Sequence, residues 1–512
     1  MNNSVKNALL LSGLLLVVLK FASDLIAGAD ASFGPNLAKD AINHTWPFWN
    51  FIKSSVDSGV FPLWNPYVSV GAPLVGELGL GLFYPLNWLT FFMPVPSALV
   101  LIQFLTVLIA VVGMWAYLRY LAVAVPGRVL GSVLFAFAVF TESFSLTLGS
   151  SYCWMPAALL VAHRLFETLS IAATVCLSLV LALCFLAGFP NFFLYTGLVL
   201  VVYFVVYLLL TMSARPMRQL WVGFCLSGIA LLLMLGLIAV QLLPAYELSG
   251  LSVRNIDAGA AYNPNSFWEA FSVKLMLRNF LHPTEAYMYA NQFLLIDSGI
   301  YYMGGALLFV PLAFCSKRYL PVSLAILVSL IFLVLLIQSY QDPRLSALQS
   351  IPLVDSFRVN GRAVAYVQFL LIVLSALGLS VICSIKFSSL TGIAGRRRWL
   401  WFVVLLVVVD IGVRRENHFL VPAFVSTEPL QVADNIESIR KGKDHKRILM
   451  VAHGIEQEGL MDNVGPKYQI PAISAYAGMT QARWQNYIRY LVGPAEFDDA
   501  ISHTVLQRFY GN

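Results

Sequence analysis

Long, uninterrupted runs of apolar residues recur along the chain and limit what it can fold into. A membrane-spanning helix needs about 20 mostly apolar residues, because each residue adds 1.5 Å along the axis and the hydrocarbon layer is about 30 Å thick. The sequence predicts about eleven transmembrane helices, near residues 7–27, 97–121, 127–147, 153–167, 168–187, 192–212, 219–243, 298–315, 319–338, 363–384 and 399–413.

Composition agrees with a membrane protein. Of the 512 residues, 59% are hydrophobic and 11% are charged, whereas soluble domains carry about 25% charged residues. The net charge of +6 comes largely from basic residues in short loops beside spans, so it indicates membrane topology and not nucleic-acid binding. The six cysteines show no CxxC or Cys/His ligand spacing, so neither a disulfide framework nor a zinc site is predicted.

Basic residues in three short loops set the orientation. These loops contain Arg215 with Arg218, Lys317 with Arg318, and residues 396–398. Cytoplasmic loops carry an excess of Lys and Arg, and eleven spans with a cytoplasmic N-terminus place all three loops inside. The same count places four longer segments outside, namely residues 28–96, 244–297, 339–362 and the tail from residue 416.

The outside segments differ in composition from the inside loops. They are rich in Pro and aromatic residues and hold most of the Asp, Glu and His, so we expect any chemistry to face away from the cytoplasm. No GxxxxGK[ST] phosphate-binding motif occurs, and an enzyme on this face needs a substrate delivered through or within the lipid. Residues 1–415 thus form a predicted transmembrane unit, and residues 416–512 form a small extracytoplasmic α+β domain.

The first outside loop contains a polar stretch from Asp30 to Asn87. Loops of this length are uncommon and are usually functional or disordered. Disorder is not expected here, because the stretch is rich in Trp, Phe, Tyr and Leu, which disordered segments avoid.

Several motifs resemble those of one bacterial membrane-protein family. They are Phe61-Pro62-Leu63-Trp64-Asn65-Pro66-Tyr67, Gly71-Ala72-Pro73, Trp154-Met155-Pro156, Gly188-Phe189-Pro190-Asn191, Gln241-Leu242-Leu243-Pro244 and Phe357-Arg358-Val359-Asn360-Gly361-Arg362. In these residues the chain resembles the YfhO family, which belongs to the polytopic glycosyltransferases with the GT-C fold. The chain departs from the family at Phe189, where most members have His, and many members are longer.

The resemblance implies an all-α polytopic protein of the inner (plasma) membrane, with a cytoplasmic N-terminus and an extracytoplasmic tail. Such an enzyme moves a sugar from a polyprenyl-phosphate donor to an acceptor outside the cytoplasm, which is an envelope polymer, a lipid or a protein. Its expected partners are this donor, the acceptor and membrane lipids, without nucleic acid. Two alternatives stay open: a transporter or flippase of a lipid-linked substrate, and a non-catalytic envelope-assembly protein.

Asp40 is the candidate general base. The resemblance implies a carboxylate in the first outside loop, and such a group can take a proton from an acceptor hydroxyl. Asp30 is its rival, and a solvated or ion-paired Asp40 is the structural alternative. His44 lies four residues further on. If residues 37–52 are helical, His44 shares a face with Asp40 and orients it, binds substrate or has a structural role.

Trp64 and Asn65 are candidate substrate-binding residues. A flat indole ring suits the C–H surface of a sugar, and an amide gives directional hydrogen bonds. The same run also suits an architectural role, because Pro62 and Pro66 fix an extended, turn-rich backbone.

Arg254, Arg358 and Arg362 are candidate ligands for the lipid-linked phosphate. Outside loops normally carry few basic residues, and Arg binds phosphate in a bidentate fashion. Contacts with lipid headgroups or nearby carboxylates are the alternative. Glu247, at the outer end of a span, can bind substrate, hold Mg²⁺ or Mn²⁺ with Asp40, or form a structural ion pair. No compact ligand spacing occurs, so metal ligands stay unknown and no cofactor is certain.

Overall fold

The computed structural model describes residues 44–68, 71–142, 146–251, 276, 280–281, 302–339, 342–351, 360–384, 399 and 401–410. Three of the candidate residues, Asp40, Arg254 and Arg358, lie outside the described residues. The first predicted span and the tail also lie outside them. The described part consists of helices and one short β-hairpin.

Helices follow one another along the described chain with short connections. The elements are α1 (Trp46–Asp57), β1 (Trp64–Asn65), β2 (Ala72–Pro73), 3₁₀ helices Leu78–Leu80 and Pro85–Phe91, α2 (Val95–Tyr120), α3 (Val125–Glu142), α4 (Leu146–Tyr152), α5 (Met155–Thr168), α6 (Ile171–Leu186), α7 (Pro190–Thr211), a 3₁₀ turn Met212–Ala214, α8 (Met217–Leu251), a 3₁₀ helix Gly304–Cys315, α9 (Leu320–Gln338), 3₁₀ helices Pro343–Ser350 and Asn360–Ala363, α10 (Val364–Ser384) and α11 (Trp401–Asp410).

Proline marks the start of many of these helices. Helices α1, α2, α5, α7 and α9 each carry a proline in their first turn. At this position the missing N–H has no partner inside the helix in any case, and the fixed φ angle favours helix formation. In α6 the side chain of Ser170 instead caps the helix, by accepting a hydrogen bond from the backbone N–H of Ala173.

Five helices of the described part are long and apolar enough to cross a membrane, namely α2, α7, α8, α9 and α10. Each matches a predicted span. The predicted span 127–147 overlaps α3 and the start of α4, and residues 143–145 between them lie outside the described residues. The predicted span 298–315 contains a 12-residue 3₁₀ helix with Pro311 inside. Proline cannot donate the helical hydrogen bond, so it disfavours a regular α-helix at this point. The total of eleven spans stays a prediction.

Helix α10 lies at the centre of the bundle. In its most apolar stretch 78% of the residues are buried, against 22% in α8. It packs against α3, α9 and the 3₁₀ helix Gly304–Cys315. Small residues allow these close approaches, as is usual between membrane helices: a Cβ placed on Gly378 would lie 2.7 Å from the carbonyl carbon of Phe309.

The described part of the predicted first outside loop has its own hydrophobic core. Trp49, Ile52 and Leu80 are fully buried in it, and it continues onto Leu99 of α2. Hydrogen bonds join distant parts of the loop: the indole N–H of Trp49 donates to the carbonyl of Leu80 over 3.2 Å, and the Lys53 ammonium donates to the carbonyl of Phe91 over 3.1 Å.

The contact between α10 and Phe309 predicts the effect of a single added methyl group. We expect Gly378→Ala to destabilise the protein by about 1–3 kcal/mol, because the methyl group overlaps a backbone carbonyl that cannot rotate away. Thermal unfolding in detergent, followed by intrinsic fluorescence, measures the change. Gly228→Ala in α8 is the matched control, since a Cβ there meets nothing within 4 Å. Equal unfolding temperatures for the two variants would contradict this packing.

Candidate functional site

The segment from Gly76 to Gly81 joins the outside loop to the helix bundle. A Cβ on Gly76 would lie 2.9 Å from the carbonyl oxygen of Pro244 in α8, and one on Gly81 would lie 2.9 Å from the carbonyl oxygen of Ala187. In the turn between α6 and α7, a Cβ on Gly188 would lie 2.6 Å from the carbonyl oxygen of Leu78. The loop therefore packs backbone against backbone on two elements at once. We call this contact region the loop joint.

Side chains of the loop hold the Leu80–Leu82 backbone in place at the joint. The Asn87 amide donates to the carbonyls of Leu80 at 3.2 Å and Gly81 at 2.9 Å. The indole N–H of Trp88 donates to the carbonyl of Leu82 at 3.0 Å. These bonds satisfy carbonyls that no regular element pairs, which is how an irregular segment tolerates burial.

Glu77 and His44 lie together beside this joint. Both side chains are buried, at 5% and 9% exposure. Around Gly79, a Cβ would lie 3.3 Å from Glu77 Oε1 and 3.6 Å from His44 Cε1. Among the residues whose burial the structure describes, Glu77 is the one buried carboxylate.

Burial keeps His44 neutral near pH 7. Loss of solvation lowers the pKa of His44 from 6.5 to about 4, because a charged imidazolium is costly in an apolar environment. The ring also packs against Phe48, with the ring centroids 4.8 Å apart. A neutral imidazole offers one nitrogen that donates and one that accepts a hydrogen bond.

Sequence reasoning identified His44 but missed Glu77. The signal for Glu77 was present, since it is the one charged residue in the apolar, glycine-rich run from Gly71 to Phe83. An ionisable residue in such a run is costly to bury without a function or a partner. The candidate residues predicted in this loop all precede this run.

Tyr84 connects the loop to the start of α5. The indole N–H of Trp154 donates to the hydroxyl oxygen of Tyr84 at 3.2 Å, and Tyr84 is fully buried. Burial raises the pKa of Tyr84 well above its ordinary value, so this hydroxyl stays protonated and remains a hydrogen-bond donor as well as an acceptor.

Arg362 contacts the turn between α6 and α7. Its guanidinium lies over the ring of Phe189, 5.0 Å from the centroid. The backbone N–H of Phe189 donates to the hydroxyl of Ser151 at 3.3 Å, and Gly188, the preceding residue, packs on Leu78. The structure thus brings the predicted phosphate ligand Arg362 to the turn on which the Glu77 loop also packs.

Trp64 and Asn65 lie in the small hairpin, where Trp64 pairs with Pro73 and Asn65 with Ala72. Trp64 is half exposed and covers Gly71. Asn65 is buried, and its side-chain oxygen accepts a hydrogen bond from the N–H of Tyr67 at 3.0 Å. This contact is a local turn interaction, so Asn65 shapes the loop.

Glu247 lies apart from the loop joint. It is exposed on α8, whereas Gln241, Ala245 and Leu248 form the buried face of that helix. In the described part of the chain, His, Cys, Asp and Glu side chains form no group of three that could hold a metal ion.

The arrangement of helices is similar to that of two solved membrane enzymes. The arabinofuranosyltransferase AftD from Mycobacteria matches with a TM-score of 0.57 and 15% identity, over 92% of this chain and 32% of that chain. The archaeal oligosaccharyltransferase AglB from Archaeoglobus fulgidus matches with a TM-score of 0.50 and 12% identity, over 90% of this chain and 64% of that chain. The chain has a GT-C-like fold.

These similarities concern the fold. The chain spans about a third of the length of AftD and less than two thirds of that of AglB. No protein-family model and no curated protein matches the sequence, so membership of the YfhO family stays a prediction.

The burial of His44 predicts how stability depends on pH. Between pH 6.5 and about 4 the unfolded chain binds a proton at this residue and the folded chain does not, so stability falls as the pH is lowered through this window. The lowered pKa of His44 corresponds to a loss of at most about 3 kcal/mol in the free energy of unfolding. We expect His44→Gln to reduce this loss, measured as unfolding temperatures from pH 7 to pH 4. Identical pH profiles for the two proteins would contradict the burial of a neutral His44.

Proposed function

We propose that this protein is a membrane glycosyltransferase that moves a sugar from a polyprenyl-phosphate donor to an extracytoplasmic acceptor. The observation that carries the proposal is the packing of the segment after Glu77 on the turn at Gly188, beside the Phe189 ring that Arg362 contacts, in a protein with a GT-C-like fold. A buried carboxylate and a nearby arginine are the two kinds of group that sugar transfer from a lipid phosphate requires.

The proposed reaction assigns proton transfer to Asp40 and phosphate binding to the arginines. Asp40 takes the proton from the acceptor hydroxyl, and the hydroxyl oxygen attacks the anomeric carbon of the sugar. The bond between that carbon and the phosphate oxygen breaks, and the lipid phosphate leaves with the bonding electrons. Arg362, assisted by Arg358 and Arg254, stabilises the charge that develops on the phosphate.

Glu77 and His44 support this reaction from the buried side of the loop. A neutral imidazole and a carboxylate can hold acceptor or donor hydroxyls in position, and exclusion of water strengthens such hydrogen bonds. Trp64 presents an exposed flat face suited to a sugar ring, and we assign contact with the acceptor to Glu247, which is exposed on α8.

The ligands of a protein with a similar fold support the proposed donor. AglB was solved with a dolichol-phosphate and an inhibitory peptide, which supports a lipid phosphate as donor carrier here. The acceptor is an envelope polymer, a lipid or a protein, reached from the outer face of the inner (plasma) membrane.

The distribution of charge favours an enzyme over a transporter or flippase. Transport of a polar substrate requires ionisable groups or broken helices midway across the membrane. In α2, α7, α8, α9 and α10, the described helices long enough to span, charged residues occur only near the ends. The buried carboxylate instead lies in the outside loop.

Asp40→Asn tests the general base. We expect transfer from polyprenyl-phosphate sugars by the purified protein to fall at least about 100-fold, because the amide cannot accept the proton. Asp57→Asn is the control in the same loop, since Asp57 is exposed and pairs only weakly with Lys53 across 3.5 Å. Full transfer by Asp40→Asn would remove this assignment. Loss of transfer in Glu77→Gln would then identify Glu77 as the base.

Arg362→Gln tests phosphate binding. Loss of the guanidinium should raise the KM for the donor about tenfold, because a charge-assisted contact to the phosphate is lost. Steady-state transfer at varied donor concentration measures it. Arg344→Gln is the control, because Arg344 is exposed and already engaged with Asp342, 2.8 Å away. An unchanged donor KM in Arg362→Gln would contradict the role of Arg362.

A further inference from the structure

Helix α8 has one row of buried residues along its length. The row contains Met234, Ile238, Gln241, Ala245 and Leu248, spaced alternately by four and three residues, which places them on one face of a helix. Gln241 is the one polar member of this row and is fully buried.

The amide of Gln241 has no hydrogen-bond partner within the described part of the chain. Both its nitrogen Nε2 and its oxygen Oε1 are buried and unpaired. Most buried polar groups are hydrogen-bonded, and leaving one unpaired destabilises the folded state. At Gln241 both the nitrogen and the oxygen of the amide are unpaired, and this needs an explanation. A bound ligand that supplies the missing hydrogen bonds would explain it.

Gln241 faces the loop joint. Met234 and Ile238 precede Gln241 in this row, and they pack with Leu78 of the loop and Phe185 of α6. On the other side, Leu248 and the Pro244 carbonyl approach Gly76. Since Gln241 lies between these contacts on the same helix face, its amide is directed to the junction of the loop with α6 and α8.

The depth of Gln241 matches the level of a lipid-linked sugar in the outer leaflet. Helix α8 has 35 residues and is therefore about 50 Å long, more than the hydrocarbon layer requires. Its inner end follows Arg215 and carries Arg218 in its first turn, and about 20 residues later the helix leaves the hydrocarbon near Ile238. Gln241 then lies at the outer headgroup level.

The neighbouring backbone adds a further polar group at this level. Pro244 has no N–H, so it cannot donate the helical hydrogen bond to the carbonyl of Val240. That carbonyl is adjacent to Gln241 in sequence. The helix therefore offers an extra hydrogen-bond acceptor beside the unpaired amide.

We propose that the amide of Gln241 binds hydroxyl groups of the donor's sugar and so helps to determine sugar specificity. Oxygen Oε1 requires a donor and nitrogen Nε2 requires an acceptor. A sugar hydroxyl supplies both, whereas a phosphate lacking its protons supplies only acceptors and a polyprenyl chain supplies neither. This inference rests on the proposed function and adds a residue to it.

Gln241→Leu separates this role from a structural one. We expect its affinity for farnesyl-phosphate glucose, mannose, galactose or arabinofuranose, whichever the wild type binds best, to fall about tenfold. Its affinity for farnesyl phosphate without a sugar should stay unchanged. Its unfolding temperature without ligand should rise by about 2 °C, because an unpaired buried amide is removed. Gln241→Met, which keeps the length of the side chain, should behave in the same way.

Gln219→Leu is the matched control on the same helix. The Gln219 amide donates to the carbonyl of Phe166 at 2.7 Å, so this variant should lower the unfolding temperature and leave both affinities unchanged. Binding is measured on the full chain in lipid nanodiscs.

Two results would overturn this inference but leave the proposed function intact. One is an equal loss of affinity, or no loss, for the sugar-bearing and the bare lipid phosphate in both Gln241 variants. The other is a fall in their unfolding temperature without ligand, which would show that the amide is paired inside the protein or with a buried water. Failure of the wild type to bind any of the four sugar lipids would instead overturn the proposed function, and this inference with it.

Discussion

The close backbone contact between the Leu78–Gly81 segment and the turn at Gly188 determines the geometry of the candidate site. Gly188 has a φ of +101° and Gly81 a φ of +57°, values in the left-handed region that favour glycine. Any side chain at Gly188 would also overlap the Leu78 carbonyl. Because this contact is made by backbone atoms, it fixes the loop more firmly than side-chain contacts could. Leu78, which follows Glu77, lies on one side of this contact, and Phe189, whose ring Arg362 contacts, follows Gly188 on the other.

Much of the bundle could be predicted from the sequence, because hydrocarbon thickness imposes a minimum length on each apolar run. Helices α7 and α9 match the predicted spans within a few residues for this reason. The 3₁₀ geometry around Pro311 instead depends on neighbouring helices and on local backbone hydrogen bonding. Apolar length does not encode this geometry.

The site was less predictable than the fold, since it depends on contacts between segments far apart in sequence. The sequence indicated that Arg362 lies at the outer end of a span but not that it stacks on Phe189, 173 positions earlier. For Asn65 the sequence left sugar binding and loop architecture open, and the hydrogen bond to Tyr67 supports architecture. The burial of Glu77 depends on how its glycine-rich run packs, which the sequence does not show.

Three buried polar groups of the described structure meet at the loop joint, and their coincidence supports the proposed function. A carboxylate is buried at Glu77, a histidine is held neutral at His44, and an amide is left unpaired by the described residues at Gln241. Desolvation of each group costs free energy, which the interaction partners of Glu77 and His44 offset in part. Proteins retain such costs where binding or catalysis needs desolvated polar groups. A chain selected only to pack helices in a membrane would have no reason to place all three at one junction.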